Sequence, residues 1–352
     1  MNPTGRKTDT APADTDPAAA FGRHFDRHGR FDLPASTALE QRVRTLRRLP
    51  ARPPRDPAQI AGARRGFDLL VSAAMQAIPE AERRGVRSTR IEMDGVPLLV
   101  AEPGRASGAV LHIHGGGWCV GDAAGLRPAL EALARRTGAC VASVEYRRAP
   151  EHPHPAAAED CLRAATAWLA TLQRQGHPAD ASRLVLAGES AGAHLALLTL
   201  HGLRRQGLRP AGAALAYGLF DLANGRPSRR TTPDGGVLLD AGACAFYVDA
   251  YLGSGIDRDD PEVSPWHWPA ERLAGMPPAL FCVGGLDPLY DDSVDLHARW
   301  RRAGAEAWLA VYAGAPHAFD LFGTPEAAHL AELRGRFIRR CLGGPDAPAL
   351  GG

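Results

Sequence analysis

Lysine is nearly missing from this chain. Lys7 is the only one among the 41 basic residues, and the rest are arginine, a bias that reads as genomic base composition. Against 39 acidic residues the net charge is +2 with histidines neutral. No excess of one sign points to nucleic acid or to a membrane surface as a partner. Cysteine is sparse as well. Cys119, Cys140, Cys161, Cys244, Cys282 and Cys341 are scattered with no C-x-x-C, most of them in apolar contexts where a free thiol packs as a small hydrophobe. No apolar run approaches the ~18 residues of a membrane-spanning helix, and no N-terminal stretch has the form of a signal peptide. The expectation is a soluble cytoplasmic protein. Metal-ligand patterns are equally thin. His112-x-His114 and His152-x-His154 have no carboxylate or cysteine partner recurring nearby, so no metal is expected.

What the chain does have is 352 residues with 45% hydrophobic content, enough for one large core. It falls into three zones. Residues 1–35 are rich in Pro, Ala, Thr, Asp and Arg without periodicity, and are expected to be disordered or loosely attached. Residues 36–80 hold two helical patterns, Thr37 to Arg48 and Pro57 to Ile78. The second carries Ile60, Phe67, Leu70, Val71 and Met75 at helical spacing. From Ile91 strand patterns begin, with a hairpin turn at Asp94-Gly95.

The most informative segment is Gly188-Glu189-Ser190-Ala191-Gly192. It lies between a strand pattern, Arg183 to Ala187, and a helix pattern, Ala191 to Arg205. A serine at such a junction, with a glycine two residues away on each side, fits a nucleophile elbow. Upstream by 76 residues, a strand pattern from Gly108 to Ile113 runs into His114-Gly115-Gly116-Gly117-Trp118. Three glycines after a strand expose backbone N–H groups of the kind that receive an oxyanion. A phosphate loop would want Lys-Ser/Thr or G-x-G-x-x-G spacing, and neither is present.

A serine nucleophile needs a base and an orienting acid, in the order Ser, Asp or Glu, His, each after a strand. Ala279 to Val283 reads as one strand and is followed by Asp287. Glu306 to Tyr312 reads as another and is followed by His317, with a helix from Asp291 to Arg302 between them. One such βαβ step brings both loops to the same sheet edge. Asp291 and Asp292 compete for the acid role but read as the first turn of that helix, where carboxylates meet the positive helix end. His297 and His329 fall inside helical patterns.

These residues resemble the hormone-sensitive-lipase-like branch of the α/β-hydrolases, the bacterial family IV esterases, from roughly Arg90 onward. The extended H-G-G-G-x-x-x-G form ends at Gly121. Tyr146-Arg147-Arg148-Ala149-Pro150-Glu151-His152-Pro153-His154-Pro155 is similar to Y-R-L-A-P-E-x-P-x-P, with Glu159-Asp160 following, and Asp287-Pro288-Leu289-Tyr290-Asp291 is similar to D-P-L-x-D. The resemblance implies an α/β-hydrolase fold, a mostly parallel sheet flanked by helices under a helical cap. The cap would comprise residues 36–80 and an insert at about 222–270, with the catalytic domain over 81–345. It implies Ser190 as nucleophile, His317 as base and Asp287 as acid, with Gly115, Gly116, Gly117 and Ala191 forming the oxyanion hole. No metal or organic cofactor is required.

The insert shows a loop pattern, Asn224 to Gly236, and an apolar helix pattern, Val237 to Leu252. Trp118, Phe246, Tyr247, Tyr251, Trp266 and Trp268 are candidate pocket walls or plain core. Two departures from the family stand out. Glu189 takes the place of Asp, and Ala193-His194 that of Gly-Asn, a form shared with kynurenine formamidases. The expected substrate is a small, largely apolar carboxylic ester. An amide, split by a formamidase or an acetylhydrolase, stays open, as do a ligand-binding receptor on a hydrolase scaffold and a homodimer.

Overall fold

Strands that bury every residue on both faces belong to a sheet covered by helices, and the runs Ala109–Ile113, Cys140–Val144 and Ala307–Tyr312 do so here. A computed structural model of the chain describes residues 25–48, 54, 56–177, 180–223, 225–231 and 236–343. Its elements run β1 (Arg30–Leu33), α1 (Thr37–Leu46), α2 (Ile60–Gln76), β2 (Val86–Met93), β3 (Val96–Pro103), β4 (Ala109–Ile113), α3 (Arg127–Thr137), β5 (Cys140–Val144) and α4 (Ala156–Arg174). Then come β6 (Leu184–Glu189), α5 (Ala191–Arg205), β7 (Gly212–Ala216), α6 (Pro227–Thr231), α7 (Ala241–Leu252) and α8 (Ala270–Leu273). β8 (Ala279–Gly284), α9 (Tyr290–Arg302), β9 (Ala307–Tyr312) and α10 (Pro325–Cys341) complete the order.

The nine strands form one sheet in the order β1-β9-β8-β7-β6-β4-β5-β3-β2. Only β2–β3 and β3–β5 pair antiparallel. The β2–β3 hairpin turns at Asp94-Gly95 with positive φ at both residues, as a two-residue turn matched to strand twist requires. The mostly parallel α/β-hydrolase sheet expected from the sequence is present, and its apolar runs fill one continuous core with the flanking helices.

Residues 1–35 are not uniformly unstructured. Residues 1–24 lie outside the described residues, but β1 pairs in parallel with β9, in register Arg30↔Leu309 to Leu33↔Tyr312. The turn before it is closed by Asp26, whose carboxylate accepts from the N–H groups of His28 and Arg30. A four-residue strand is too short to show a period, and its partner lies near the far end of the chain.

The two N-terminal helices form, somewhat shorter than expected. α1 is capped by Ser36, which accepts from Leu39 N–H, and buries Leu39 and Val43. α2 follows a 3-10 turn at Pro57–Gln59 and buries Ile60, Val71 and Met75, while Leu69 is 74% exposed.

The insert also differs in part. Within the expected loop, Pro227–Thr231 is helical, and Asn224 and residues 232–235 lie outside the described residues. α7 starts at Ala241 because Asp240 caps it, accepting from Ala243 N–H at 2.9 Å. α6 is bolted to the start of α9. Ser228 N–H donates to Asp291 at 2.6 Å, and Ser228 Oγ–H donates to the Pro288 carbonyl at 2.8 Å. Arg229 Nη2 donates to both oxygens of Asp292 at 2.7 Å, both residues essentially unexposed. Asp292 is therefore more than a helix-end carboxylate. It also accepts from the N–H groups of Phe220 and Asp221.

Candidate active site

Ser190 occupies the turn between β6 and α5 with φ 56 and ψ −123, a conformation a non-glycine residue adopts only under constraint. The constraint is packing. A Cβ on Gly192 would run into the carbonyl oxygens of Ile113 and His114, at the end of the adjoining β4 and just beyond it. The parallel pairing of β8 with β9 sets the loops after them side by side. His317 Nδ1 stands 2.9 Å from Asp287 Oδ2, and His317 Nε2 stands 2.9 Å from Ser190 Oγ. An ionised carboxylate only accepts, so Nδ1 carries the ring proton and Nε2 offers its lone pair to the serine hydroxyl. Asp287 is 2% exposed and also accepts from Leu289 N–H, which fixes its orientation. The structure thus brings together the three residues that the sequence singled out. Asp291 is kept apart from them by its bond to Ser228.

The glycine segment lies against the serine, and a Cβ on Gly115 would come within 3.3 Å of Ser190 Cβ. Gly116 has φ +116, and a side chain there would strike the Val120 carbonyl. Ala191 opens α5, so its N–H is one of the unpaired donors of a helix first turn. Around the segment, Tyr146 stacks on His114 at 4.3 Å and donates its hydroxyl proton to the His114 carbonyl at 3.0 Å. Arg64 of α2 donates to the Cys119 and Ala149 carbonyls and pairs with Glu151. Sequence reasoning missed Arg64, because nothing local to a surface helix marks a contact to a loop 55 residues on.

It also missed a buried ionic group beside the serine. Glu189 accepts from His112 Nε2 at 2.8 Å and pairs with Arg334 of α10. Burial pushes Glu189 up, but the charges of His112 and Arg334 and the hydrogen bonds from both outweigh it and hold it at about 2. Tyr217, at φ 37, donates to Asp320 at 2.6 Å, and its ring meets that of His317 edge-on at 5.0 Å. Burial, with Glu189 close by, raises Asp320. The departure of Glu189 from the family pattern was the one available signal.

Ser190, His317 and the three glycines open onto a cavity of about 1930 Å³. Of the candidate pocket residues, Trp118 and Tyr247 border it. Phe246, Tyr251 and Trp266 do not. Tyr251 is stacked behind Trp118, and Phe246 packs with Ile60, Cys119 and Val120. Trp266 sits under the Arg226 guanidinium, 4.0 Å from its ring centre, and Trp268 is fully buried. Much of the wall comes from α2, through Phe67, Leu70, Val71 and Met75 of the helical stripe read from the sequence.

Among the described residues, Asp221, Asp259 and His267 are the one group of three side chains close enough to share a metal ion. The Arg226 guanidinium already stands 3.6 Å from Asp221, and His267 stands 3.1 Å from Asp259, so the group reads as an ion-pair cluster. His112 and His154 are bonded to side chains, and His114 to the Gly115 carbonyl. No helix among the described residues is long and apolar enough to cross a membrane.

Residues 110–321 match the family described as the alpha/beta hydrolase fold. The chain is 35% identical over 245 residues to an acetyl-hydrolase of Streptomyces hygroscopicus, covering 68% of this chain and 79% of that one. It is 32% identical over 225 residues to an ethyl acetate hydrolase of Pseudomonas putida, covering 63% and 69%. The crystal structure of an esterase from the bacterial hormone-sensitive lipase family superposes with a TM-score of 0.75 at 28% identity, over 88% of this chain and 100% of that one. The serine, its hydrogen-bonded partners and the glycine segment thus stand on a framework shared with those proteins, and the chain belongs to the α/β-hydrolase family, in its hormone-sensitive-lipase-like branch of esterases.

Proposed function

We propose that this protein hydrolyses small, largely apolar carboxylic esters through an acyl-enzyme on Ser190. The observation that carries the reading is the chain Ser190 Oγ–His317 Nε2 and His317 Nδ1–Asp287 Oδ2, each 2.9 Å, at the floor of an apolar-walled cavity. Kinship with esterases supports the same chemistry. His317 Nε2 takes the hydroxyl proton as Ser190 Oγ bonds to the ester carbon and the carbonyl electron pair moves to oxygen. Backbone N–H groups of Gly116, Gly117 and Ala191 hold that negative oxygen, while Asp287 stabilises the imidazolium. Collapse breaks the bond to the alcohol, which leaves with the proton from His317. Water then gives a proton to His317 and attacks the acyl carbon. The acid departs, and the proton returns to Ser190. Residues 36–80 and the insert act as a cap that keeps water off the oxyanion.

The test is a panel of p-nitrophenyl esters from acetate to octanoate, run beside N-formyl and N-acetyl amides, with titration by a fluorophosphonate. Turnover of the shorter esters and one equivalent of label on Ser190 are expected. Amides turning over faster than esters would replace the ester reading. A protein that neither turns over substrate nor takes the label is no hydrolase.

A further inference from the structure

The residue that closes the glycine segment is under strain of its own. Trp118 has φ +59, after Gly116 at +116 and Gly117 at +56, and a bulky side chain rarely adopts that conformation. Something must hold it. Its carbonyl accepts from Ala149 N–H at 3.0 Å, and its indole is fully buried, face to face with Tyr251 at 4.4 Å. The indole Nε1–H, 3.3 Å from His194 Nδ1, donates to it, and His194 Nε2 lies 2.7 Å from the Val263 carbonyl.

An indole N–H can only donate and a peptide oxygen can only accept, so one state of His194 satisfies both. That state is the neutral ring with its proton on Nε2. Burial pulls the His194 pKa down to about 4, which keeps the ring in that state at neutral pH. His194 also lies one helical turn beyond Ser190, and its N–H donates to the Ser190 carbonyl at 3.3 Å. One ring therefore ties three pieces together: the helix that follows Ser190, the end of the glycine segment, and the insert at Val263.

We propose that His194 is a positioning residue, which fixes the Trp118 indole and through it the direction of the Gly116 and Gly117 N–H groups toward the developing oxyanion. The proposal rests on the esterase reading. Its signature differs from that of a packing role. Misdirected N–H groups weaken the transition state but leave ground-state binding of the ester alone, so kcat falls while KM holds.

The experiment uses the full chain with His194→Phe, which keeps a ring and removes both nitrogens, Trp118→Phe, which removes the donor and trims the buried indole to a single ring, and the double variant. For each, kcat and KM are measured with p-nitrophenyl acetate, together with the affinity of a boronic acid that forms a tetrahedral adduct with the serine. We expect each single variant to lose roughly 10–100-fold in kcat, short of the ~10²–10³ for deleting an oxyanion donor outright. KM should stay within about threefold, boronate affinity should fall in step with kcat, and the double variant should be no worse than either single one. A folded His194→Phe protein with full kcat overturns the proposal, and so do additive losses or an unchanged boronate affinity. If His194→Phe does not fold, Trp118→Phe decides alone, and full kcat there is fatal. A wild-type protein that neither turns over esters nor takes the fluorophosphonate label sinks the esterase reading as well. Active wild type with indifferent variants sinks only this one.

Discussion

Ser190→Ala and His317→Ala should each cost on the order of 10⁴-fold or more in kcat, and the double variant little beyond either, because the residues act as a unit. Steady-state kinetics on p-nitrophenyl butyrate check this. Asp287→Asn should be similarly severe, since an amide can hold the wrong imidazole tautomer. Asp291→Asn should leave kcat nearly intact, its carboxylate being engaged with Ser228. The reverse ranking would reassign the acid. Gly116→Ala places a methyl group against the Val120 carbonyl at a φ that alanine avoids. A loss of about 10²–10³-fold in kcat with a native circular-dichroism spectrum is expected. Ser190, Asp287 and His317 were legible in the sequence because each follows a short apolar run with its own turn residues. Glu189 and Arg334 were not, since their partnership spans 145 residues and leaves no local trace.

α6 and the start of α9 depend on Arg229 and Asp292, and Arg229→Met leaves Asp292 buried without its counter-charge. We expect a stability loss of about 3–5 kcal/mol by urea denaturation, with lower kcat, because α9 begins just after Asp287. Unaltered stability would show that the backbone N–H groups of Phe220 and Asp221 suffice to hold that carboxylate. On α2, Phe67→Ala and Val71→Ala widen the cavity wall. Relative kcat/KM across the acetate-to-octanoate series should move toward longer acyl groups, and an unchanged profile would place the acyl site elsewhere. The elements themselves were partly legible. Buried parallel strands show as unbroken apolar runs, and α2 shows a helical stripe. α7 is apolar on nearly every side, so its period says nothing about which of Phe246, Tyr247 and Tyr251 faces the cavity. Only Tyr247 does.

At the scale of the molecule, burial sets the response to acid. It pulls His114, His194 and His297 down to about 4 each, against an unfolded value near 6.5. A depressed histidine binds its proton only on unfolding, so its stabilising contribution is complete above pH ~6.5 and is lost as pH falls toward 4. Asp292, pushed up to about 6 by burial, has the opposite sign and offsets part of this below pH 6. The melting temperature should fall between pH 6.5 and 4, and His194→Phe should flatten that fall by roughly one proton of uptake. A parallel pair of curves would mean that His194 takes up its proton as readily in the folded state as in the unfolded one. The order of the strands has a consequence for synthesis. β1, the first strand described, pairs with β9, and His317 follows β9 in the chain. A nascent chain grown as far as β8 holds the serine and the glycine segment but lacks His317, the proposed base, and the strand that pairs with β1. On the proposed mechanism, hydrolytic competence therefore waits for β9 and the loop after it, and ester turnover during synthesis would mark the emergence of His317 from the ribosome.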